Sequence, residues 1–191
     1  MSISTKRGDG GTTGLLFGGR ARKDSARVAA IGAIDEAQAA LGLARAEGRV
    51  HSGAGDIDEE LTGLERGLWV LMAEVATAPR NRGKLVPGVS LVTADMVDEI
   101  EARVHELEAS RVAPREFVVP GQNRASAALD LARTVVRRAE RHVVGLALGE
   151  ESSVVPYLNR LSDLCWLLAR AFEEEHLTAR SERVRAPRTK E

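Results

Sequence analysis

"LDLARTVVRRAERHVVGLAL", Leu129 to Leu148, decides how this chain folds. At about 100° per residue, Ala128, Leu131, Ala132, Val135, Ala139, Val143 and Leu146 share one face of a helix. Arg133, Arg137, Glu140 and Arg141 fall on the opposite side, Ser126 and Asp130 extend that polar stripe towards the helix start, and Arg138 lies off to the side. An apolar face this long belongs to a helix packed on other helices. The stripe has two readings: a solvated face with ordinary i,i+3 and i,i+4 charge pairs, or a grip for an anion. Two details favour the grip. The helix has arginine and no lysine, and arginine's planar fork holds phosphate or carboxylate bidentately as lysine does not. Glu140, three residues after Arg137 and one before Arg141, is placed to hold a guanidinium in one orientation.

The same periodicity recurs outward from this stretch. It predicts a helix from about Ser25 to Glu47 (Val28, Ile31, Ile34, Ala37, Leu41) and one from roughly Ile57 to Ala78 (Leu61, Leu64, Leu68, Leu71, Val75). A third begins after Ser90 or Thr93 and ends near Ser110 (Met96, Val97, Ile100, Val104, Leu107). The arginine helix itself spans about Gln122 to Leu148, and a fifth runs from about Val155 to Glu175. Gly- and Pro-rich connections separate them; one, "RVAPREFVVPGQN", holds a β-prone piece, Phe117–Val119. We therefore expect one all-α domain, an up-and-down five-helix bundle. A glycine-rich arm occupies 1–24, the bundle 25–176, and 177–191 form a charged tail expected to be disordered.

Composition narrows the function. Net charge is −1, from 27 basic and 28 acidic residues, so no global field draws the chain to nucleic acid or anionic lipid. Any anion site must be local. Cys165, the only cysteine, excludes an internal disulfide and a cysteine-rich zinc site and reads as a small buried apolar residue. "MSISTKRGDGG" lacks the apolar core of a signal peptide, and no run approaches a membrane span; we expect a soluble cytoplasmic protein. Glu173 and His176 have the spacing of a di-iron motif but lack the other ligands, so they read as a chance surface pair. His51 and His105 lack partners at metal spacing, and we expect no metal held by the protein alone. Trp69 and Trp166 read as core.

"TKRGDGGTTGLLFGGRARKD" (5–24) is a second anion-binding candidate. Gly8, Gly10, Gly11 and Gly14 permit backbone nests of inward N–H groups. Thr5, Thr12 and Thr13 offer hydroxyls, and Lys6, Arg7 and Lys23 offer charge. Asp9 either holds the turn or helps bind a metal. The segment is not a Walker A loop, which opens a helix after a strand; no strand is expected here. Arm and stripe together suit a polyphosphate held from two sides.

Three blocks in this order, "TKRGDGGTTGL" with "RARKDSARVAAIGAIDEAQAALG", "FVVPGQNRASAALDLARTVVRRAERHVV" and "YLNRLSDLCWLLAR", resemble the PduO-type ATP:corrinoid adenosyltransferases. They cover most of residues 5–170. The resemblance implies a ferritin-like five-helix bundle assembled as a homotrimer, with active sites between subunits. It implies transfer of the 5′-deoxyadenosyl group of ATP to the cobalt of cob(I)alamin, with Mg²⁺ and release of triphosphate. Thr5, Lys6, Arg7, Gly8, Asp9, Gly11, Thr12, Thr13, Gly14 and Lys23 would wrap the ATP phosphates, and Arg137, Arg138, Glu140, Arg141 and Asn159 would complete the nucleotide site. Asp35 would pair with Arg133 across the subunit interface near the corrinoid, both joining Arg137 and Glu140 in catalysis. Phe117 would lie beneath the corrin, excluding water and the lower axial ligand. A flavin reductase and a cobalamin-dependent acceptor enzyme are implied partners. The chain departs from the family's common Pro-Gly-Gly at "PGQN", Pro120–Asn123, and carries Asp130 where many members have histidine. Those departures keep open a carrier or sensor of adenosylcobalamin or nucleotide with weak turnover.

Overall fold

The computed structural model describes residues 4, 6–51, 55–110, 114, 116–149 and 151–179. Its long elements are helices α1 (Ala26–His51), α2 (Gly55–Val75), α3 (Ala94–Ala109), α4 (Arg124–Val144) and α5 (Val154–Ala171). A short 3-10 helix, Pro79–Lys84, follows α2. Each helix lies within a few residues of its expected span.

Side-chain pairs fix the relative directions of α1, α2 and α4. Arg45 bonds Glu65 at 3.0 Å and Arg49 bonds Asp58 at 2.6 Å, so α1 and α2 run oppositely. Arg124 pairs with Glu47 at 2.8 Å, and Arg138 with Glu36, so α4 also opposes α1. Arg103 reaches Glu60 at 2.8 Å across the α2–α3 edge. α4 lies between α1 and α5, α2 packs on the outer side of α1, and α3 packs on α5. The result is an up-and-down bundle with α4 at its centre. Its core includes Ile34, Leu41, Leu61, Leu68, Leu71, Leu129, Leu158 and Leu161, all fully buried. Burying a side chain of this size contributes roughly 1.5–3 kcal/mol.

Local chemistry sets the helix ends. Asn123 caps α4: its side chain accepts from Ser126 N at 2.8 Å, while Ser126 Oγ accepts from Asn123 N at 3.3 Å. This box closes two otherwise orphaned donors. Asn123 Nδ2 also donates to the Phe172 carbonyl at 2.7 Å, tying the start of α4 to the end of α5. The departure at "PGQN" thus has a structural role. The carbonyls of Val75, the last residue of α2, and Thr77, just past it, accept from Arg27 Nη1 at 2.5 and 3.1 Å. At Gly67 the backbone of α2 meets Tyr157; a Cβ there would lie 2.0 Å from the phenol oxygen.

The structure corrects several expectations. Ser126 and Asp130 are buried, whereas Leu131, assigned to the apolar face, is half exposed. α4 is flanked by two helices, so its buried arc is wider than one stripe and rotated from it. Trp69 is 62% exposed and is not core. Glu173 is buried, not on the surface, and accepts from Arg170 at 2.9 Å. The arm contains strands after all: β1 (Thr12–Gly14) pairs antiparallel with β2 (Arg20–Arg22) in the register Thr12↔Arg22. Residues 177–179, grouped with the tail, lie beside the β-prone piece, with Val118 bridged to Thr178. Residues 180–191 lie outside the described residues.

Candidate functional site

The arm is a hairpin docked on the end of α2 by its tip, where Leu16 N donates to the Ala76 carbonyl at 3.0 Å. Arg20, passed over in the sequence, holds its open end. Its Nε donates to Thr12 Oγ1 at 2.9 Å, and its Nη2 to the carbonyls of Arg7 and Thr12 at 2.7 and 3.0 Å. That bracing role was expected of Asp9. Instead Asp9 is exposed and bonds through its backbone, N–H to the Lys6 carbonyl at 3.3 Å. Gly11 adopts φ +75°, a left-handed turn conformation that glycine enters without a Cβ clash. The Lys23 ammonium lies against Gly8. Lys6, Arg7 and Lys23 are exposed, and Thr13 and Gly14 lie in β1. Thr5 lies outside the described residues.

The α4 arginines divide into two kinds. Arg133 is half-buried and bonds Asp130 at 3.4 Å, and Arg138 pairs with Glu36. Arg137 and Arg141 are exposed, with no hydrogen-bond or ion-pair partner among the described residues. Between them Glu140 accepts from Asn159 Nδ2 at 3.3 Å, so the expected Glu140–Asn159 juxtaposition is present. Arg137 reaches into a cavity of about 360 Å³ between α3, α4 and α5, where Glu101, His105 and Arg160 face it. Arg160 bonds Glu101 at 3.5 Å and Asp163 at 3.1 Å.

A second cavity, of about 510 Å³, opens at the Phe117 end and is lined by Val118, Pro120, Trp166 and Arg170. Arg133 and Trp166 line both cavities, so a compartment of mixed charge joins a largely apolar one. Phe117 is 88% exposed, a position that removal of water by a ligand would reward. Asp35 is exposed on α1; the carboxylate beside Arg133 in this chain is Asp130. Cys165 is fully buried beneath the site, and burial pushes its thiol up to about 12, so it is held neutral.

Among the described residues, no hydrogen bond or ion pair joins residues 6–24 to Arg137, Glu140, Arg141 or Asn159. Nor does any group of three His, Cys, Asp or Glu side chains form a metal cage among them. No helix among them is long and apolar enough to cross a membrane. Sequence reasoning singled out Asp130 only as a stripe residue and a family departure and missed its partner Arg170 at the Phe117 end, although an arginine inside the apolar run "LCWLLARAF" is itself a signal of a buried partner.

A family model described as cobalamin adenosyltransferase matches residues 3–172. The corrinoid adenosyltransferase of Bacillus subtilis is 37% identical over 172 residues, covering 89% of this chain and 86% of that protein. That of Mycobacterium tuberculosis is 38% identical over 172 residues, covering 88% and 86%. Among solved structures, a Phe-to-Ala variant of a PduO-type ATP:corrinoid adenosyltransferase from Lactobacillus reuteri, complexed with cobalamin and ATP, superposes with a TM-score of 0.82. It is 26% identical and covers 94% of this chain and 100% of that one.

Proposed function

The chain belongs to the cobalamin adenosyltransferase family, and we propose that its two joined cavities hold that family's two substrates. The protein is an ATP:corrinoid adenosyltransferase: it moves the 5′-deoxyadenosyl group of ATP to the cobalt of cob(I)alamin, giving adenosylcobalamin and triphosphate. The observation that carries the site reading is the pair of exposed, unpartnered guanidiniums, Arg137 and Arg141, flanking the Glu140–Asn159 bond.

Co(I) is already a strong nucleophile, so the protein need not create one. A Co–C5′ bond forms as the C5′–O bond breaks. Both electrons of the new bond come from cobalt, which becomes formally Co(III), and triphosphate departs with the pair from the broken bond. The protein's task is in-line placement and stabilisation of charge on the leaving oxygen. Arg137 and Arg141 supply fixed charge there, and Glu140 and Asn159 orient the nucleotide. Lys6, Arg7, Lys23 and the glycine N–H groups of the arm close over the phosphates. Arg133 stands where the compartments meet, and Phe117 covers the corrin from below.

Mg²⁺ fits as an ion carried by the triphosphate, since it prefers phosphate oxygens and water to an all-protein cage, and the described residues offer no such cage. It would neutralise charge on the phosphates. Because no hydrogen bond or ion pair joins arm and stripe among the described residues, we place the arm of one subunit over the arginines of its neighbour, in a homotrimer. Asp35 then faces Arg133 of the adjacent copy. A flavin reductase supplying Co(I) and a cobalamin-dependent enzyme taking the product complete the scheme, which we place in the cytoplasm.

The test is direct. Protein, ATP, Mg²⁺ and chemically reduced cobalamin should convert the Co(I) spectrum to that of adenosylcobalamin over many turnovers. ATP binding without conversion would reject the reading.

A further inference from the structure

The Phe117 ring is 88% exposed, so side-chain packing does little to fix where it points. Its backbone does that. Ala179 N donates to the Phe117 carbonyl at 2.8 Å, and Val119 N donates to the Leu177 carbonyl at 2.7 Å. Residues 177–179 are therefore a strap along 117–119.

The strap has a buried anchor. It follows Glu173 by four residues, and the Glu173 side chain is wholly buried. Arg170, 1% exposed, donates through Nη2 to Glu173 at 2.9 Å and to Asp130 at 2.6 Å. Its guanidinium also lies 5.9 Å from the Trp166 ring centre. His176 Nδ1 lies 2.9 Å from the other Glu173 oxygen, directly before the strap begins. The second oxygen of Asp130 meets Arg133 at 3.4 Å. One buried unit, Asp130–Arg170–Glu173, thus touches both walls of the second cavity.

We propose that this unit positions the corrinoid end of the site, holding Arg133 directly and Phe117 through the 177–179 strap. The proposal rests on the reading of that cavity as the corrinoid site. Asp130, Arg170 and Ala179 border the cavity themselves, and their bonded chain to Arg133 and to the Phe117 backbone gives them a positioning role there. Buried charges that satisfy one another in a single arrangement are suited to such a task, because any displacement leaves a charge unpaired in low dielectric.

Ala179→Pro removes the N–H that bonds Phe117 and, being exposed and outside the helices, spares the bundle. It should raise the KM for cobalamin about fivefold, the equivalent of one ordinary hydrogen bond, and leave the KM for ATP unchanged. Phe117→Ala should change corrinoid kinetics by itself, and adding Ala179→Pro to it should change nothing more. Asp130→Asn should raise the KM for cobalamin more than that for ATP; if it fails to fold, Ala179→Pro carries the test. The proposal is overturned if Ala179→Pro leaves corrinoid kinetics intact while Phe117→Ala alters them. Additive effects in the double variant, or equal KM rises for both substrates, also overturn it. If Phe117→Ala itself alters nothing, the corrinoid assignment of the cavity has failed, and the proposal falls with it.

Discussion

Arg137 and Arg170 approach the two joined cavities from opposite situations, and replacing each should separate chemistry from stability. Arg137 is exposed and without a partner among the described residues, so Arg137→Ala should move stability by no more than about 0.5 kcal/mol. For a domain of this size that is a melting shift of about 2 °C or less. Its cost should fall on the reaction: losing one fixed donor to a developing negative charge typically lowers turnover by about 10²–10³. Arg170 is 1% exposed and bonded to two buried carboxylates. Arg170→Met takes the shared cation from both, leaving Asp130 only Arg133 and Glu173 only His176, a loss of about 3–5 kcal/mol, or a melting drop on the order of 10 °C. Thermal melts followed by far-UV circular dichroism and turnover followed by the cobalamin spectrum read the two effects separately. A large melting drop in Arg137→Ala, or full turnover without that side chain, would refute the reasoning. So would an Arg170→Met protein as stable as its parent.

Three further predictions follow from single contacts. Gly67→Ala gains helix propensity of about 1 kcal/mol but drives a methyl into the Tyr157 phenol, so a net loss of about 1–3 kcal/mol is expected in denaturant titration; a stabilised variant would show the approach to be looser. Arg20→Met removes the three bonds bracing the arm and should raise the KM for ATP about tenfold with an unchanged melting temperature; an unaltered KM would detach the hairpin from nucleotide binding. Burial raises the pKa of both Cys165, to about 12 from 9.0, and Tyr157. The unfolded chain releases these protons earlier, so stability is whole below about pH 9 and declines as pH rises towards 12. Cys165→Ala should flatten that decline, and equal slopes for the two proteins would contradict it.

The bundle was readable because its helices are long and their apolar residues recur with the helical period. Leu61, Leu64, Leu68, Leu71 and Val75 of α2 are all buried as their spacing predicts. The hairpin was not readable, since three-residue strands are too short to display any period and their pairing depends on Arg20. Leu131 and Trp69 were misplaced because periodicity gives a direction but not the number of neighbours. The exposed half of the site, Arg137, Glu140, Arg141 and Asn159, was legible through residue type and through the family resemblance. Its buried support was not. Asp130 reads as one more polar residue on a stripe until the fold brings Arg170 to it, 40 residues further along the chain.

The positions of the two tryptophans have a practical consequence. Trp166 forms part of the wall where the cavities join, while Trp69 sits 62% exposed on α2. Replacing Trp69 would leave one indole whose emission comes from the binding cleft alone. A corrin absorbs strongly in the near ultraviolet, so its arrival beside that indole should quench the light by energy transfer. On the proposed placement of the corrinoid, the enzyme would contain its own optical gauge of cobalamin occupancy, usable before any turnover and without a label.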